Sequence, residues 1–220
     1  ALAAAQAAYF RRVPVAHVEA GLRTADLGAP HPEEGNRRMI GAIADMHFAP
    51  TAGAAQALRI EGVAAAHIHL TGNTVVDSLH AVRARLSRDP GLAGQARDVL
   101  NRCGDRRLIL ATCHRRESFT TASEIAGAIR LLAQRRDVLI ALPLHPNPAI
   151  RRPLEEALRN ETNVELLEPL EFAPFVSLLS AAYFVLTDSG GVQEEAPVLG
   201  TPALVMREVT ERPEGVAAGT

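Results

Sequence analysis

The segment Thr187-Asp188-Ser189-Gly190-Gly191-Val192-Gln193-Glu194-Glu195 sets two glycines directly after a serine and two carboxylates shortly after the glycines. It follows the apolar run Tyr183-Phe184-Val185-Leu186, which predicts a strand, a tight turn at Asp188-Ser189 and a helix beginning near Gly190. In open α/β sheets ligands sit beyond the carboxyl ends of the strands. There Ser189 can cap the helix, and glycines without a Cβ let phosphate oxygens approach the N–H groups at its positive end. Glu194 and Glu195 fall about one turn along, where one would accept hydrogen bonds from ribose hydroxyls. The same spacing fits, equally well, a plain glycine turn whose acids stabilise the helix pole.

A second acidic pattern, HVEAGLRTADLGAPHPEEGNR from His17 to Arg37, puts Glu19 at a strand's carboxyl end and Glu33 at a helix start after Pro32. Carboxylates from two elements would act as base and acid on opposite faces of a sugar carbon if the fold brings them together. The competing reading of Glu33 and Glu34 is a solvated first helical turn.

The elements that must position these residues alternate in type. Short β-rich runs (VPVAHV, MHFAP, HIHLTG, RLILATC, DVLIALPL, NVELLEP, YFVLTDS and ALVMR) are separated by amphipathic segments, the pattern of βαβ units. The continuous apolar stretches Leu108 to Ala111 and Val138 to Leu142 predict parallel strands covered on both faces. GAIRLLAQRR, Gly127 to Arg136, predicts a crossover helix ending in cations at its negative pole. A hinge is expected around TGNTVVDSL, with a helix from Thr74 linking two halves, ahead of the Pro- and Gly-containing stretch SRDPGLAG at 87 to 94.

Composition narrows the classes. The 220 residues are 47% hydrophobic, enough for a sizeable core. No apolar run reaches membrane-spanning length and no leader pattern opens the chain, so a cytoplasmic protein is expected. Net charge is −2 with scattered basic residues, which argues against nucleic acid as a partner. All 23 basic residues are Arg, excluding a Walker lysine and a Schiff-base lysine within this sequence. The chain opens with Ala, its first helical pattern lacks a capping residue, and it closes in small residues, so truncation at both ends is expected.

Several residues are demoted. Cys103 and Cys113 match no metal spacing, and Cys113 beside His114 would point to the opposite face of an extended chain. His17 with Glu19, and His67 with His69, are two apart on one strand face but form no recognisable zinc set. The segment LHPNP at 144 to 148 fits a rigid loop bordering a ligand or a plain turn.

Taken together, HVEAGLRT, PEEGNR, HFAPT, TGNTVVD, HRRES, EPLEFAPFV, TDSGGVQEEAP and TERPE, in this order over nearly the whole chain, resemble the non-hydrolysing UDP-N-acetylglucosamine 2-epimerases. The resemblance implies an α/β fold of two Rossmann-like parallel-sheet domains facing a cleft, glycosyltransferase-B-like, with the first domain truncated. Residues 1–72 would carry the acid/base groups and 73–220 would bind UDP. It implies interconversion of UDP-N-acetylglucosamine and UDP-N-acetylmannosamine by anti elimination of UDP through 2-acetamidoglucal and re-addition, with no cofactor and no metal. The full-length parent would be a homodimer, and the present piece alone inactive.

By the same resemblance Glu19, Glu33 and His114 are catalytic. Ser189, Gly190 and Gly191 cradle phosphate, Glu195 takes the ribose, Arg212 makes a further nucleotide contact, and Leu170 and Phe175 meet the base. Phe175, spaced with Val176 and Leu179, also reads as core. Cys113 stands where the family usually has glycine, and the family's glycine-rich GTRPE-type start and a further aspartate have no counterpart in this sequence. The ranked alternatives are a hydrolysing relative, a UDP-sugar glycosyltransferase and a non-catalytic UDP-binding remnant.

Overall fold

A computed structural model describes residues 1–113, 122–206 and 215. The described residues form two compact units, 1–76 with Gly215 and 77–206. Each of the eight β-rich runs holds a strand.

In the first unit, α1 (Leu2–Phe10), β1 (Ala16–Val18), α2 (Glu33–Ile43), β2 (Met46–Ala49), α3 (Ala52–Ile60) and β3 (Ile68–Leu70) give a parallel sheet of order β1-β2-β3. Thr51 starts α3 as a working N-cap, its hydroxyl accepting from the Ala54 N–H at 3.0 Å. Ala54, Ala55 and Leu58 turn inward from α3 onto Ala20, Leu22 and Ala49. The residues that follow β1 are therefore part of the core, pressed between the sheet and α3. His67 lies in a short 3-10 turn (Ala65–His67) and His69 in β3, so the pair does not share a strand face.

The division between units falls within α4 (Thr74–Arg88), which begins where the linking helix is expected. The second unit continues with α5 (Gln95–Cys103), β4 (Arg107–Thr112), α6 (Ala122–Ala133), β5 (Val138–Pro143), α7 (Pro148–Leu158), β6 (Val164–Leu167), α8 (Phe172–Ala181), β7 (Phe184–Thr187), α9 (Gly190–Leu199) and β8 (Ala203–Val205). Its five strands are all parallel in the order β6-β5-β4-β7-β8. Strand β5 is buried along its whole length and β4 from its second residue onward, as runs without alternation require of strands covered on both faces. One face packs Ile109, Ile140 and Leu142 against α6 and α7. The other packs Leu108, Leu110, Leu139 and Val185 under α5, α8 and α9.

Helix α6 ends at Ala133, short of the predicted Arg136. The Gln134 and Arg135 N–H groups bond three residues back, which tightens the last turn. Arg135 then leaves the helix to chelate Asp137 with two hydrogen bonds at 2.9 and 2.7 Å.

Candidate active site

The strand order of the second unit reverses between β4 and β7. Their last residues, Thr112 and Thr187, are fully buried with hydroxyls 2.6 Å apart. Beyond such a reversal the loops diverge and leave room for a ligand. The chain leaving β7 passes through buried Asp188 to Ser189, whose N–H donates to Thr187 Oγ1 at 3.0 Å. Helix α9 starts at Gly190, as predicted. Ser189 occupies the N-cap position but its hydroxyl makes no capping bond, contrary to the expected side-chain cap. The first-turn N–H groups of a helix have no intrahelical acceptor and carry its positive pole.

A cavity of about 360 Å3 opens beyond the ends of β5, β6 and β7. Its walls include Leu170, Phe175, Ser189, Gly191 and Glu195. Gly190, adjoining Ser189 and Gly191, is buried beneath them. A Cβ placed on Gly191 would meet Glu195 Oε1 at 3.8 Å and Ser189 Oγ at 3.9 Å, so the acid and the hydroxyl flank the same bare patch of backbone. The volume lies within the range of small-molecule sites, which are largely apolar with a few convergent polar groups.

Phe175 packs on the core cluster beneath α8 and also lines the cavity. The LHPNP segment, expected either to border a ligand or to form a plain turn, supplies Leu144, His145 and Pro146 to the wall; the sequence does not single out His145 itself, because Pro146 and Pro148 make the segment read equally well as a turn. Asn147 caps α7, accepting from the Ala149 N–H at 2.9 Å, and its own N–H donates to His145 Nδ1 at 3.0 Å. That bond leaves Nε2 to carry the proton of the neutral ring.

Cys113, at the end of β4, is buried, and burial followed by the nearby Asp188 charge pushes its thiol up to about 12. It stays protonated at neutral pH, as a thiol without nucleophilic duty does. His114 and Arg212 lie outside the described residues.

In the first unit Glu19 comes one residue after β1 rather than on it, and its φ of +58° is in the left-handed region. Hence Glu19 does not share a strand face with His17. A non-glycine residue there costs about 1–3 kcal/mol and persists only where the surroundings enforce it. They do so here: the Ala20 N–H donates to Phe48 O at 3.0 Å, and Gly21 touches α3. Glu33 opens α2 after Pro32, as predicted. Both carboxylates are exposed, and neither has a hydrogen-bond or ion-pair partner among the described residues. Glu34 is the opposite, completely buried, so the solvated-turn reading fails for it.

His17 and His47 are cross-strand partners on β1 and β2 with ring centroids 6.4 Å apart. Burial lowers His17 to about 4, helped by His47, Arg23 and Arg37. Among the described residues no group of three or more His, Cys, Asp or Glu is placed to hold a metal ion, and no helix is long and apolar enough to cross a membrane.

A parallel α/β fold with a cavity beyond its strand ends and glycines at a helix start is the Rossmann-like arrangement of the glycosyltransferase-B-like class. The family model described as UDP-N-acetylglucosamine 2-epimerase matches residues 1–220. The chain belongs to that family. It is 48% identical to the UDP-N-acetylglucosamine 2-epimerase of Escherichia coli K12, over all of this chain and 59% of that one. Among solved structures, the Neisseria meningitidis UDP-GlcNAc 2-epimerase bound to UDP-GlcNAc superposes with a TM-score of 0.94 at 42% identity, covering 99% of this chain and 59% of that one. A Methanocaldococcus jannaschii UDP-GlcNAc 2-epimerase in complex with UDP-GlcNAc and UDP gives 0.84 at 32% identity, over 98% of this chain and 59% of that one. The chain thus spans about three fifths of the length of these relatives.

Proposed function

We propose that the whole protein to which these residues belong interconverts UDP-N-acetylglucosamine and UDP-N-acetylmannosamine without net hydrolysis. The supporting observation is that Leu170, Phe175, Ser189, Gly191 and Glu195, drawn from two separate stretches of sequence, line one cavity. Phe175 and the Leu170 backbone would meet uracil. Glu195 would accept from the ribose, and the α9 first turn with Ser189, Gly190 and Gly191 would hold the diphosphate.

The C2 proton of the sugar has no adjacent carbonyl to acidify it, so its removal is coupled to loss of UDP. One carboxylate of the Glu19 and Glu33 pair takes the proton. The C2–H electrons form the C1=C2 double bond, and UDP leaves with the C1–O pair, giving 2-acetamidoglucal. Proton delivery to the opposite face of C2 and attack of UDP on C1 complete the inversion. Two exposed carboxylates without partners among the described residues suit such proton traffic. His114 would stabilise the departing diphosphate and Arg212 would add a nucleotide contact. As further parts of the proposal, the parent acts in the cytoplasm as a homodimer, and the 220 residues alone do not turn over.

The test is NMR of UDP-N-acetylglucosamine with the purified full-length protein in D2O. UDP-N-acetylmannosamine carrying deuterium at C2 is the expected product. Stoichiometric UDP and free N-acetylmannosamine would instead identify a hydrolysing enzyme, and transfer to an added acceptor a glycosyltransferase.

A further inference from the structure

The fourteen residues from Glu19 to Pro32 join the end of β1 to the start of α2 and so connect the two exposed carboxylates. This strap has little secondary structure, yet it is fastened at two consecutive residues near its middle. Arg23 donates to both oxygens of Glu61, at the end of α3, with 2.7 and 2.8 Å bonds. The Thr24 N–H donates to Glu34 Oε2 at 3.3 Å.

Thr24 also ties the strap internally. Its hydroxyl donates to Ala29 O and receives the Asp26 N–H at 3.4 Å, while Asp26 Oδ1 accepts from the Gly28 N–H at 2.8 Å.

Glu34 is the second residue of α2, beside Glu33, and has no exposed surface. A buried carboxylate is tolerated only when its oxygens are satisfied. Both are: Oε2 by Thr24, and Oε1 by Arg38 Nε at 3.0 Å, one helical turn further on. Glu34 is therefore shut away from any substrate while linking the strap to the helix that carries Glu33. We infer that Glu34 is a positioning residue, which through its bonds to Thr24 and Arg38 sets where Glu33 stands during proton transfer and holds the strap that leads into α2. The inference rests on the acid/base reading of Glu33.

The experiment uses the full-length protein with E34A, E34Q, E33Q and E34A/E33Q. Glutamine keeps an acceptor for the Thr24 N–H, whereas alanine removes it. The expected result for E34A is a fall in kcat of about 30-fold with KM changed less than about 3-fold, since misplacing an acid/base group by a fraction of an ångström costs rate rather than ground-state binding. E34Q should recover most of the loss. In the E33Q background E34A should cost little more, because the group it positions is already disabled. Equal fold losses in both backgrounds would overturn the inference, as would a loss confined to thermal stability.

Amide hydrogen exchange gives a second readout independent of activity. E34A should deprotect residues 20–32 while β2 and α3 stay protected, and unchanged strap protection would overturn the inference. Should E34A not fold, E34D keeps the carboxylate but shortens its reach to the Thr24 N–H and to Arg38, and the same kcat signature is required of it. An inactive wild-type protein would sink the proposed reaction and leave the exchange result to decide the strap.

Discussion

A Cβ built on Gly21 would lie 2.1 Å from the carbonyl oxygen of Ala54, far inside contact distance. Gly21 also has a φ of +88°, a conformation side chains resist. The glycine of HVEAGLRT is thus where the chain leaving β1 touches the backbone of α3. G21A is expected to destabilise the first unit by roughly 2–4 kcal/mol, since neither a helix carbonyl nor a strained backbone can give way cheaply. Urea denaturation of the variant should show a lower midpoint with an unchanged m-value.

The same substitution at Gly191 should act differently. Among the described residues its added Cβ would meet Ser189 Oγ and Glu195 Oε1, both at ordinary van der Waals distances, so these leave it room. The space is the approach to the α9 first turn, where phosphate oxygens are proposed to sit. G191A is expected to keep the wild-type melting temperature and to weaken UDP binding by about 10-fold or more, about 1.4 kcal/mol, measured by titration calorimetry. A lower melting temperature with intact UDP affinity would make the glycine structural.

These two glycines mark what the sequence made legible. The β4 and β5 runs could be recognised because strands covered on both faces lose their alternation, and the helix start at Gly190 because a strand, a short polar turn and glycines leave few alternatives. Other features depend on tertiary geometry. That Ser189 would leave its capping bond unmade, or Glu19 take a left-handed φ, follows from how neighbours press on them and leaves no mark in local residue type. For the segment holding His145 the sequence left a ligand-bordering loop and a plain turn equally open; only the fold sets it against Phe175 and Glu195. Glu34 looked like half of a solvated acidic pair, and its burial depends on Thr24, ten residues earlier.

The lowered His17 value gives stability a pH dependence of known sign. The imidazole is held near 4 in the fold by burial and then by His47, Arg23 and Arg37, against an ordinary 6.5. Between those values the unfolded chain binds a proton that the folded one refuses. This contribution is therefore complete above about 6.5 and is lost as pH falls toward 4, with a limiting slope of about 1.4 kcal/mol per pH unit for one proton. H17N should flatten the stability curve over that window relative to wild type and leave it unchanged at pH 8. A parallel displacement of the whole curve would show that His17 contributes through packing alone.

The proton-transfer proposal separates sharply from the nucleotide-binding one because the residues lie in different units. Glu19 and Glu33 belong to residues 1–76, whereas Leu170, Phe175, Ser189, Gly191 and Glu195 line a cavity wholly within 77–206. In the full-length protein E19Q and E33Q are each expected to lower kcat by about 10²–10⁴-fold, the usual contribution of a positioned acid or base. Neither should change the UDP dissociation constant by more than about 3-fold, because glutamine preserves shape and leaves the cavity of the second unit untouched. Deuterium exchange at C2 then assigns direction: the variant lacking the base for one epimer loses exchange into that epimer first. If either variant instead lost UDP affinity with kcat preserved, its carboxylate would be a binding group and the two-carboxylate mechanism would fail.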